Sequence, residues 1–405
     1  MKKKSDLIST WSFVLFTILI LIVGQIGFGK ANIEPFCNNI QTDYITLISD
    51  DSQVIEINTS KDIVWQYSIG CVDSERLSNG NTLITQGFLV NEVNGIGIIV
   101  WQYGTGLLGI SDIERLDNGN TLITDMLNNI VLEVNKSGCI VWQYDIGLSF
   151  PIDAERLENG NTLIVNNLAN AVLEVTRNKT VVWQYATGLR SPSDAERLEN
   201  GNTLITDYLN NRVIEVNITG AIVWQKTGLS TPKDAERLEN GNTLIAEYSN
   251  NRIIEVNKTG NIVWSFSDAL YQPNDVERIN NQPPKTPTIT GPNSGLINIP
   301  YIYMFRGEDP GGHTIYYWID WGDGNTSGWI GPYPSDFQIP RTHTWKNKGT
   351  YIIQAKIRDV CGAESDWETL TVKMPRDKSI SSLYLMNFLD QFPILKTLLQ
   401  RLTIF

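Results

Sequence analysis

From residue 42 to residue 280, short apolar runs alternate with polar breaks. In one stretch the runs span 194–198, 203–208, 212–217 and 221–225, and the breaks contain Asn-Gly, Asn-Asn or Thr-Gly. Asn-Gly between two apolar runs is a strong signal for a tight hairpin, because such turns need positive φ angles. No segment of this region has the 3.6-residue period of an amphipathic helix. The pattern predicts antiparallel strands in groups of four.

The four-strand unit repeats with a period of about forty residues, which is typical of a repeat architecture. Each repeat is marked by Asp-x-Glu-Arg, a later Glu followed by Val or Ile, and a tryptophan. Four strands in about forty residues make one propeller blade. Six copies of each marker therefore predict an all-β, six-bladed β-propeller over residues 42–280. The markers are Glu75, Glu114, Glu155, Glu196, Glu236 and Glu277 of Asp-x-Glu-Arg, then Glu56, Glu92, Glu133, Glu174, Glu215 and Glu255, then Trp65, Trp101, Trp142, Trp183, Trp224 and Trp264.

The repeat is split between the two ends of this region. The first unit, Ile45 to Tyr67, lacks the Asp-x-Glu-Arg strand, whereas the last copy, Asp275 to Ile279, consists of little else. Joining the two pieces completes one blade and removes open sheet edges that would promote aggregation. We therefore expect the first strand of the region to pair with the last.

A second pattern follows a proline-rich linker at 281–287. Over residues 288–373 the chain carries Trp321-Gly322-Asp323-Gly324, His343-Thr344-Trp345 and an alternating segment from Tyr351 to Ile357. These motifs resemble those of PKD-type domains, and the resemblance implies an immunoglobulin-like β-sandwich that acts as a spacer or contact module. His343, next to Trp345, is then expected to be a packed residue of the sandwich.

Both ends of the chain carry apolar segments. Three lysines precede an apolar run from Trp11 to Val23, which predicts a signal peptide or an uncleaved membrane anchor over residues 1–31. Apolar residues at helix-like spacing over 374–405 predict an amphipathic helical tail that either packs on the sandwich or contacts a membrane surface. Either a signal peptide or an anchor at residues 1–31 would place the protein outside the cytoplasm, secreted or attached to the cell surface.

The blade itself resembles known repeats. Asn-x-Thr-Gly-x-x-Val-Trp, at 217–224 and 257–264, places a large ring at the same depth of each blade, where it can pack on the neighbouring blade. This motif resembles the tryptophan-docking motif of quinoprotein propellers, and the whole blade resembles NHL, PQQ-like and arylsulfotransferase-type repeats. With the PKD-type motifs, the chain resembles archaeal and bacterial surface proteins. The resemblance implies an architecture and leaves the activity open.

The net charge and the positions of the histidines argue against two classes of function, nucleic-acid binding and histidine-dependent catalysis. The formal net charge of −12 argues against nucleic-acid binding. Only His313 and His343 are present, both beyond residue 280, so the propeller lacks the usual general base for arylsulfotransferase-like chemistry. Nearly identical copies offer no unique cofactor cavity. We therefore expect a non-catalytic extracellular binding, adhesion or scaffold protein that needs no cofactor and recognises a surface protein or polysaccharide; the alternative is an extracytoplasmic enzyme of the arylsulfotransferase or quinoprotein kind.

The repeat aspartates are the candidate binding residues. They could form an inner ring at the mouth of the propeller channel and bind a cation. The favoured interpretation is structural: each aspartate accepts hydrogen bonds from backbone N–H groups and pairs with the arginine of its own copy, such as Arg197, without a metal. These residues are Asp73, Asp112, Asp153, Asp194, Asp234 and Asp275.

Two kinds of covalent modification are also suggested. Asn-x-Ser/Thr sequons make six asparagines candidates for N-glycosylation: Asn58, Asn135, Asn178, Asn217, Asn257 and Asn325. The four cysteines show no metal-ligand spacing. Cys37 and Cys71 are the nearest pair for a disulfide in an exported chain, whereas Cys139 is equally well explained as a small apolar strand residue.

Overall fold

A computed structural model describes residues 44–376 of the chain, and these residues form an all-β structure. The predicted N-terminal segment, Cys37 and the predicted helical tail lie outside the described residues. Within residues 44–376 there is no α-helix, only two 3-10 turns at Tyr208–Asn210 and Tyr248–Asn250, so no helix in this range could span a membrane.

The repeat region forms 24 short strands. Four observed strands begin and end within two residues of the bounds predicted at 194–198, 203–208, 212–217 and 221–225. In chain order the strands are β1 (Tyr44–Asp50), β2 (Val54–Asn58), β3 (Ile63–Tyr67), β4 (Ser74–Arg76), β5 (Thr82–Gln86), β6 (Leu89–Val93), β7 (Ile99–Tyr103), β8 (Ile110–Arg115), β9 (Thr121–Asp125), β10 (Ile130–Val134), β11 (Ile140–Tyr144), β12 (Pro151–Arg156), β13 (Thr162–Asn166), β14 (Ala171–Val175), β15 (Val181–Tyr185), β16 (Pro192–Arg197), β17 (Thr203–Asp207), β18 (Arg212–Val216), β19 (Ile222–Thr227), β20 (Pro232–Arg237), β21 (Thr243–Glu247), β22 (Arg252–Val256), β23 (Ile262–Phe266) and β24 (Pro273–Asn280).

These strands assemble into six four-stranded antiparallel sheets. Five sheets use four consecutive strands, beginning at β4, β8, β12, β16 and β20, and the sixth has the order β24-β1-β2-β3. The predicted pairing of the two ends is confirmed: β1 pairs with β24 from Tyr44 opposite Asn280 to Asp50 opposite Pro273. The Asp-x-Glu-Arg strands β4, β8, β12, β16, β20 and β24 contact one another in sequence, and β24 contacts β4, so the contacts form a closed ring.

Neighbouring sheets share their apolar cores. One buried cluster joins Leu83 and Tyr103 of the β4–β7 sheet to Ile113 and Ile123 of the β8–β11 sheet. The tryptophans reach across the same boundaries: the indole N–H of Trp101 donates a hydrogen bond to the carbonyl of Lys136 in the next sheet (3.1 Å). The predicted packing of the tryptophans on the neighbouring repeat is therefore confirmed for this residue.

The rest of the described chain forms two further sheets around one core. A three-stranded sheet has the order β25-β27-β30, and a five-stranded sheet has the order β26-β32-β31-β28-β29. Tyr303 and Phe305 of the first sheet and Tyr317 and Ile353 of the second are buried in this core. The strands are β25 (Thr288–Thr290), β26 (Ser294–Leu296), β27 (Tyr301–Arg306), β28 (Ile315–Asp320), β29 (Thr326–Tyr333), β30 (Gln338–His343), β31 (Gly349–Asp359) and β32 (Glu368–Arg376).

The second part of the chain packs directly on the repeat region. Ile45 and Val64 share a buried cluster with Val360 and Cys361. The backbones of the two parts approach so closely at one point that a methyl group on Gly80 would lie 2.5 Å from the nitrogen of Gly312. Both glycines also have positive φ angles, so larger side chains at either position would strain the backbone and separate the two parts.

Deleting residues 44–67 should destabilise the whole repeat region, because β24 would lose its sheet partners and two sheet edges would be exposed. We expect aggregation in size-exclusion chromatography with light scattering, and a lower melting temperature than the full chain. A truncated protein that remained monomeric with an unchanged melting temperature would contradict the closed ring.

Candidate functional site

The six Asp-x-Glu-Arg strands bring twelve carboxylates to one central cavity. Because side chains alternate along a strand, Asp and Glu of one copy point to the same side and the arginine to the other. A β-bulge at the residue before the aspartate, Ser193 in the β16 copy, shifts the register and starts the arrangement. The twelve side chains form an aspartate tier and a glutamate tier around a cavity of about 370 Å³, which we call the carboxylate channel.

The aspartate tier is held by hydrogen bonds between neighbouring sheets. The backbone N–H of Ala195 donates to Oδ2 of Asp153 (3.1 Å), and every other aspartate accepts from the corresponding residue of the next sheet. The expected backbone hydrogen bonding is therefore confirmed. The remaining donors and acceptors are Ile113 to Asp73, Ala154 to Asp112, Ala235 to Asp194, Val276 to Asp234 and Ser74 to Asp275.

The glutamate tier repeats this arrangement two residues further along each strand. The backbone N–H of Arg197 donates to Oε2 of Glu155 (2.8 Å). All twelve bonds run in the same direction around the ring, so each first strand is fastened to the next at two levels. The other donors and acceptors are Arg115 to Glu75, Arg156 to Glu114, Arg237 to Glu196, Arg278 to Glu236 and Arg76 to Glu277.

The predicted pairing of each aspartate with its own arginine is wrong. The guanidinium of Arg197 points away from the channel, pairs with Oε2 of Glu174 in the preceding sheet (3.0 Å) and lies over the ring of Trp183 (5.1 Å). A charged hydrogen bond to Glu174 and a cation–π contact with Trp183 hold the guanidinium in this position. The later repeat glutamate was visible in the sequence, but its role as the arginine's partner was missed. The pairs are Arg76–Glu56, Arg115–Glu92, Arg156–Glu133, Arg197–Glu174, Arg237–Glu215 and Arg278–Glu255.

Among the described residues, Lys233 brings a positive charge to the rim of the channel. A smaller cavity of about 90 Å³ adjoins the aspartate tier and is lined by the residues that precede the aspartates, Lys233 among them. The Lys233 ammonium lies over the rings of Tyr208 and Tyr248, at 5.3 and 5.4 Å. Burial lowers its pKa, although Asp51 opposes the shift.

Crowding of the carboxylates makes their ionised forms costly. Burial, followed by the charge of neighbouring carboxylates, raises the pKa of Asp153 well above its usual value. Burial likewise raises the pKa of Glu75 to about 8 and that of Asp112 to about 7, in each case against the backbone hydrogen bond, which lowers it. Near neutral pH the channel therefore retains protons unless another positive charge takes their place.

The remaining predicted residues lie elsewhere. His343 stacks on Trp321 (4.5 Å between ring centroids), and its Nε2 lies 2.8 Å from Asp323 Oδ2, which agrees with a packed role. Among the sequon asparagines, Asn178 and Asn325 are exposed, Asn58 is buried, and Asn135, Asn217 and Asn257 are half-buried in turns. Glycosylation stays a prediction. Cys71 and Cys361 are buried, Cys139 is exposed, and these three form no disulfide with one another.

Raising the pH from 5 to 8 should lower the stability of the protein. Folding raises the pKa of Glu155 from its ordinary 4.5 to about 7 and that of Glu75 to about 8. The folded state therefore binds more protons than the unfolded chain in this range, and the stabilisation present below pH 4.5 is lost as the pH rises through these values. Melting temperatures measured in a chelating buffer at pH 5, 6.5 and 8 check the direction.

The melting temperature of the variant Glu155→Gln should fall less steeply with rising pH than that of the wild type. The reason is that glutamine keeps an acceptor oxygen for Arg197 but does not titrate. Glu158→Gln, on the exposed hairpin of the same repeat, is the matched control and should leave the pH dependence unchanged. Equal slopes in wild type and Glu155→Gln, or a melting temperature that rises with pH, would contradict this account of the channel.

Comparison with known proteins shows no family for this chain and finds similarity to several solved structures. No protein-family model matches the chain, and no functionally curated protein matches it. A protein of unknown function from Bacteroides caccae is similar over 59% of this chain and 99% of its own length, with 18% identity and a TM-score of 0.53. The WD40 β-propeller domain of Doa1 matches 60% of this chain and 88% of its own, with 13% identity and a TM-score of 0.44. The PKD domain of an M14-like peptidase from a Thermoplasmatales archaeon matches 24% of this chain and 99% of its own, with 49% identity and a TM-score of 0.24. Residues 44–376 are all-β, and one of these similar solved structures is itself named as a β-propeller domain.

Proposed function

We propose that residues 42–280 are a six-bladed β-propeller of the NHL, PQQ-like or arylsulfotransferase-type repeat class and that residues 288–373 are a PKD-type sandwich. Six four-stranded sheets in a closed ring of contacts support the first assignment. The second is supported by the packing of Trp321, His343 and Trp345 against one another in a single aromatic group. The basic and apolar segment at residues 1–31, which lies outside the described residues, supports an extracytoplasmic location.

We propose further that the protein is a non-catalytic binding module that recognises a positively charged group in its carboxylate channel. The observation that carries this proposal is the convergence of twelve carboxylates whose arginines all point away from the channel. Their hydrogen bonds to the next sheet use one oxygen, Oδ2 or Oε2, so these bonds leave the second oxygen of each carboxylate to other partners. A cation in the channel would offset the mutual repulsion of these groups.

The width of the channel selects the kind of cation. Among the described residues, the groups of three or more acidic, histidine or cysteine ligand atoms within 4.8 Å of one another do not include the channel carboxylates. A bare metal ion that binds three protein atoms at 2.0–2.6 Å holds those atoms closer to one another than the channel carboxylates lie. A lysine or arginine side chain is larger and carries several N–H donors that can reach separate carboxylates. The net charge of −12 would also steer a basic partner towards the protein. The partner that fits is therefore a surface protein with an exposed basic side chain, with the PKD-type domain as spacer.

Binding to a single arginine tests this function. A short glycine peptide with one central arginine should bind the full chain in isothermal titration calorimetry, and the same peptide with norleucine in its place should not. Asp153→Asn removes one carboxyl group that can ionise when a cation enters the channel but keeps an acceptor for Ala195, and we expect it to weaken binding by about tenfold, which corresponds to about 1.4 kcal/mol. Glu158→Gln removes an exposed charge outside the channel and should change the affinity less than twofold.

The outcomes separate a channel site from general charge attraction. Equal weakening by Asp153→Asn and Glu158→Gln would mean that the peptide follows the net charge and not the channel. Absence of binding to the arginine peptide at low salt would overturn the proposed recognition of a basic side chain.

A further inference from the structure

A second cluster of ionisable side chains lies where the two parts of the chain meet. Asp309 and His313 belong to the loop between β27 and β28, and Asp359 ends β31. The cluster faces Glu56 of β2 in the repeat region, whose Oε2 lies 3.6 Å from Nε2 of His313. None of these residues belongs to the carboxylate channel.

The three residues of the second part are arranged like metal ligands. One oxygen of Asp309, one oxygen of Asp359 and one ring nitrogen of His313 all lie within 4.8 Å of one another. The exposed fractions of the three residues are 3%, 1% and 6%, so water does not solvate their charges. Among the described residues, Oδ2 of Asp309 accepts no hydrogen bond, and neither ring nitrogen of His313 makes one of good geometry. Buried polar atoms whose hydrogen bonds are unmade or poorly aligned are costly, and a bound ion is one way to satisfy them.

Neighbouring groups hold these side chains in place. The backbone N–H of His313 donates to Oδ1 of Asp309 (2.9 Å), and that of Ala363 donates to Oδ1 of Asp359 (2.9 Å). The Asn281 amide also donates to Oδ2 of Asp359 (3.0 Å). Both carboxylates are thus oriented before any ligand arrives.

The imidazole has a different neighbour at each nitrogen. Nδ1 lies 3.1 Å from Oδ1 of Asp309, whereas Nε2 faces Glu56, which is itself paired with Arg76. A carboxylate behind the second nitrogen is the usual way in which proteins fix the tautomer and orientation of a metal-ligating histidine. Nδ1 is therefore the nitrogen suited to ligation, and Glu56 the residue that positions it.

We propose that Asp309, His313 and Asp359 bind one first-row divalent metal ion, with Zn²⁺ the best match, at the junction of the two parts. One imidazole and two carboxylates suit zinc better than the oxygen-only sites of Ca²⁺ and Mg²⁺. Bond lengths near 2.1 Å imply ligand atoms about 3.4 Å apart in a tetrahedron. Nδ1 of His313 and Oδ1 of Asp309, 3.1 Å apart, are already close to this spacing, and ligand atoms of all three residues lie within 4.8 Å of one another. Three protein ligands leave the fourth position to water.

The cluster borders a cleft between the two parts. Asp309 and Gly312 line this cleft of about 760 Å³, which also includes Asn79, Gly95 and Lys285. The cleft therefore brings solvent to the edge of the buried cluster, next to Asp309.

Metal titration of the full chain tests the site. The protein is prepared without a histidine tag, with Cys139→Ser to remove the exposed thiol, and is stripped with a chelator. We expect Zn²⁺ to bind at one per chain in calorimetry at pH 8 and to raise the melting temperature. Co²⁺ should give visible d–d bands without a thiolate charge-transfer band.

Variants assign the ligands. His313→Gln and Asp359→Asn should each abolish stoichiometric binding, and Glu56→Gln should weaken it by about 10–100-fold, as loss of a carboxylate behind a ligating histidine does. His343→Gln removes the only other histidine and should bind as the parent does. Circular dichroism of the metal-free variants shows whether each is folded. If His313→Gln does not fold, Asp359→Asn provides a near-isosteric test of the same site. Absence of binding by the folded parent, or undiminished binding by a folded His313→Gln or Asp359→Asn variant, would overturn the site.

Discussion

The hydrogen bonds from each first strand to the carboxylates of the preceding one are the interaction on which the rest of this structure depends. Ala195 to Asp153 and Arg197 to Glu155 show the pattern, and it recurs at every sheet boundary around the ring. These bonds satisfy backbone N–H groups of the inner strands, which lie at the edges of their sheets and have no neighbouring strand on that side. The same bonds hold twelve acidic groups around one axis, where burial, and for residues such as Asp153 the charge of neighbouring carboxylates, raises their pKa values. The concentration of carboxyl groups in the channel is thus a consequence of how the ring is closed.

The arginines complete this arrangement on the other side of the inner strands. Arg197 lies over Trp183 and pairs with Glu174, so its charge is neutralised inside the boundary between two sheets. Removing one partner of such a buried pair is destabilising, because the other charge is left without compensation. An arginine committed to the sheet boundary cannot neutralise the channel. Structural stability and an electronegative channel therefore arise from one short repeated motif.

A chain of contacts connects the channel with the junction of the two parts. The backbone of Arg76 donates to Glu277 in the glutamate tier, and its guanidinium pairs with Glu56. Glu56 in turn faces His313. In the other repeats the corresponding glutamate accepts a hydrogen bond from an asparagine side chain, as Glu215 does from Asn202 (2.6 Å), whereas Glu56 faces His313. Burial and the ion pair, in opposition, leave the pKa of Glu56 at about 2, so this residue remains an anion for whatever cation occupies the junction.

The sequence by itself determined the strands, the number of repeats, the pairing of Tyr44–Asp50 with the last strand and the packing of Trp101 on the next sheet. These features could be predicted because each depends on local periodicity or on the phase of a repeat. Only the tertiary structure decided that Arg197 pairs with Glu174 and not with Asp194, because the choice depends on how far one sheet is rotated against the next. The junction cluster was invisible for a similar reason. Glu56 and His313 are about 250 residues apart and meet only through the docking of two parts, which no spacing in the sequence encodes.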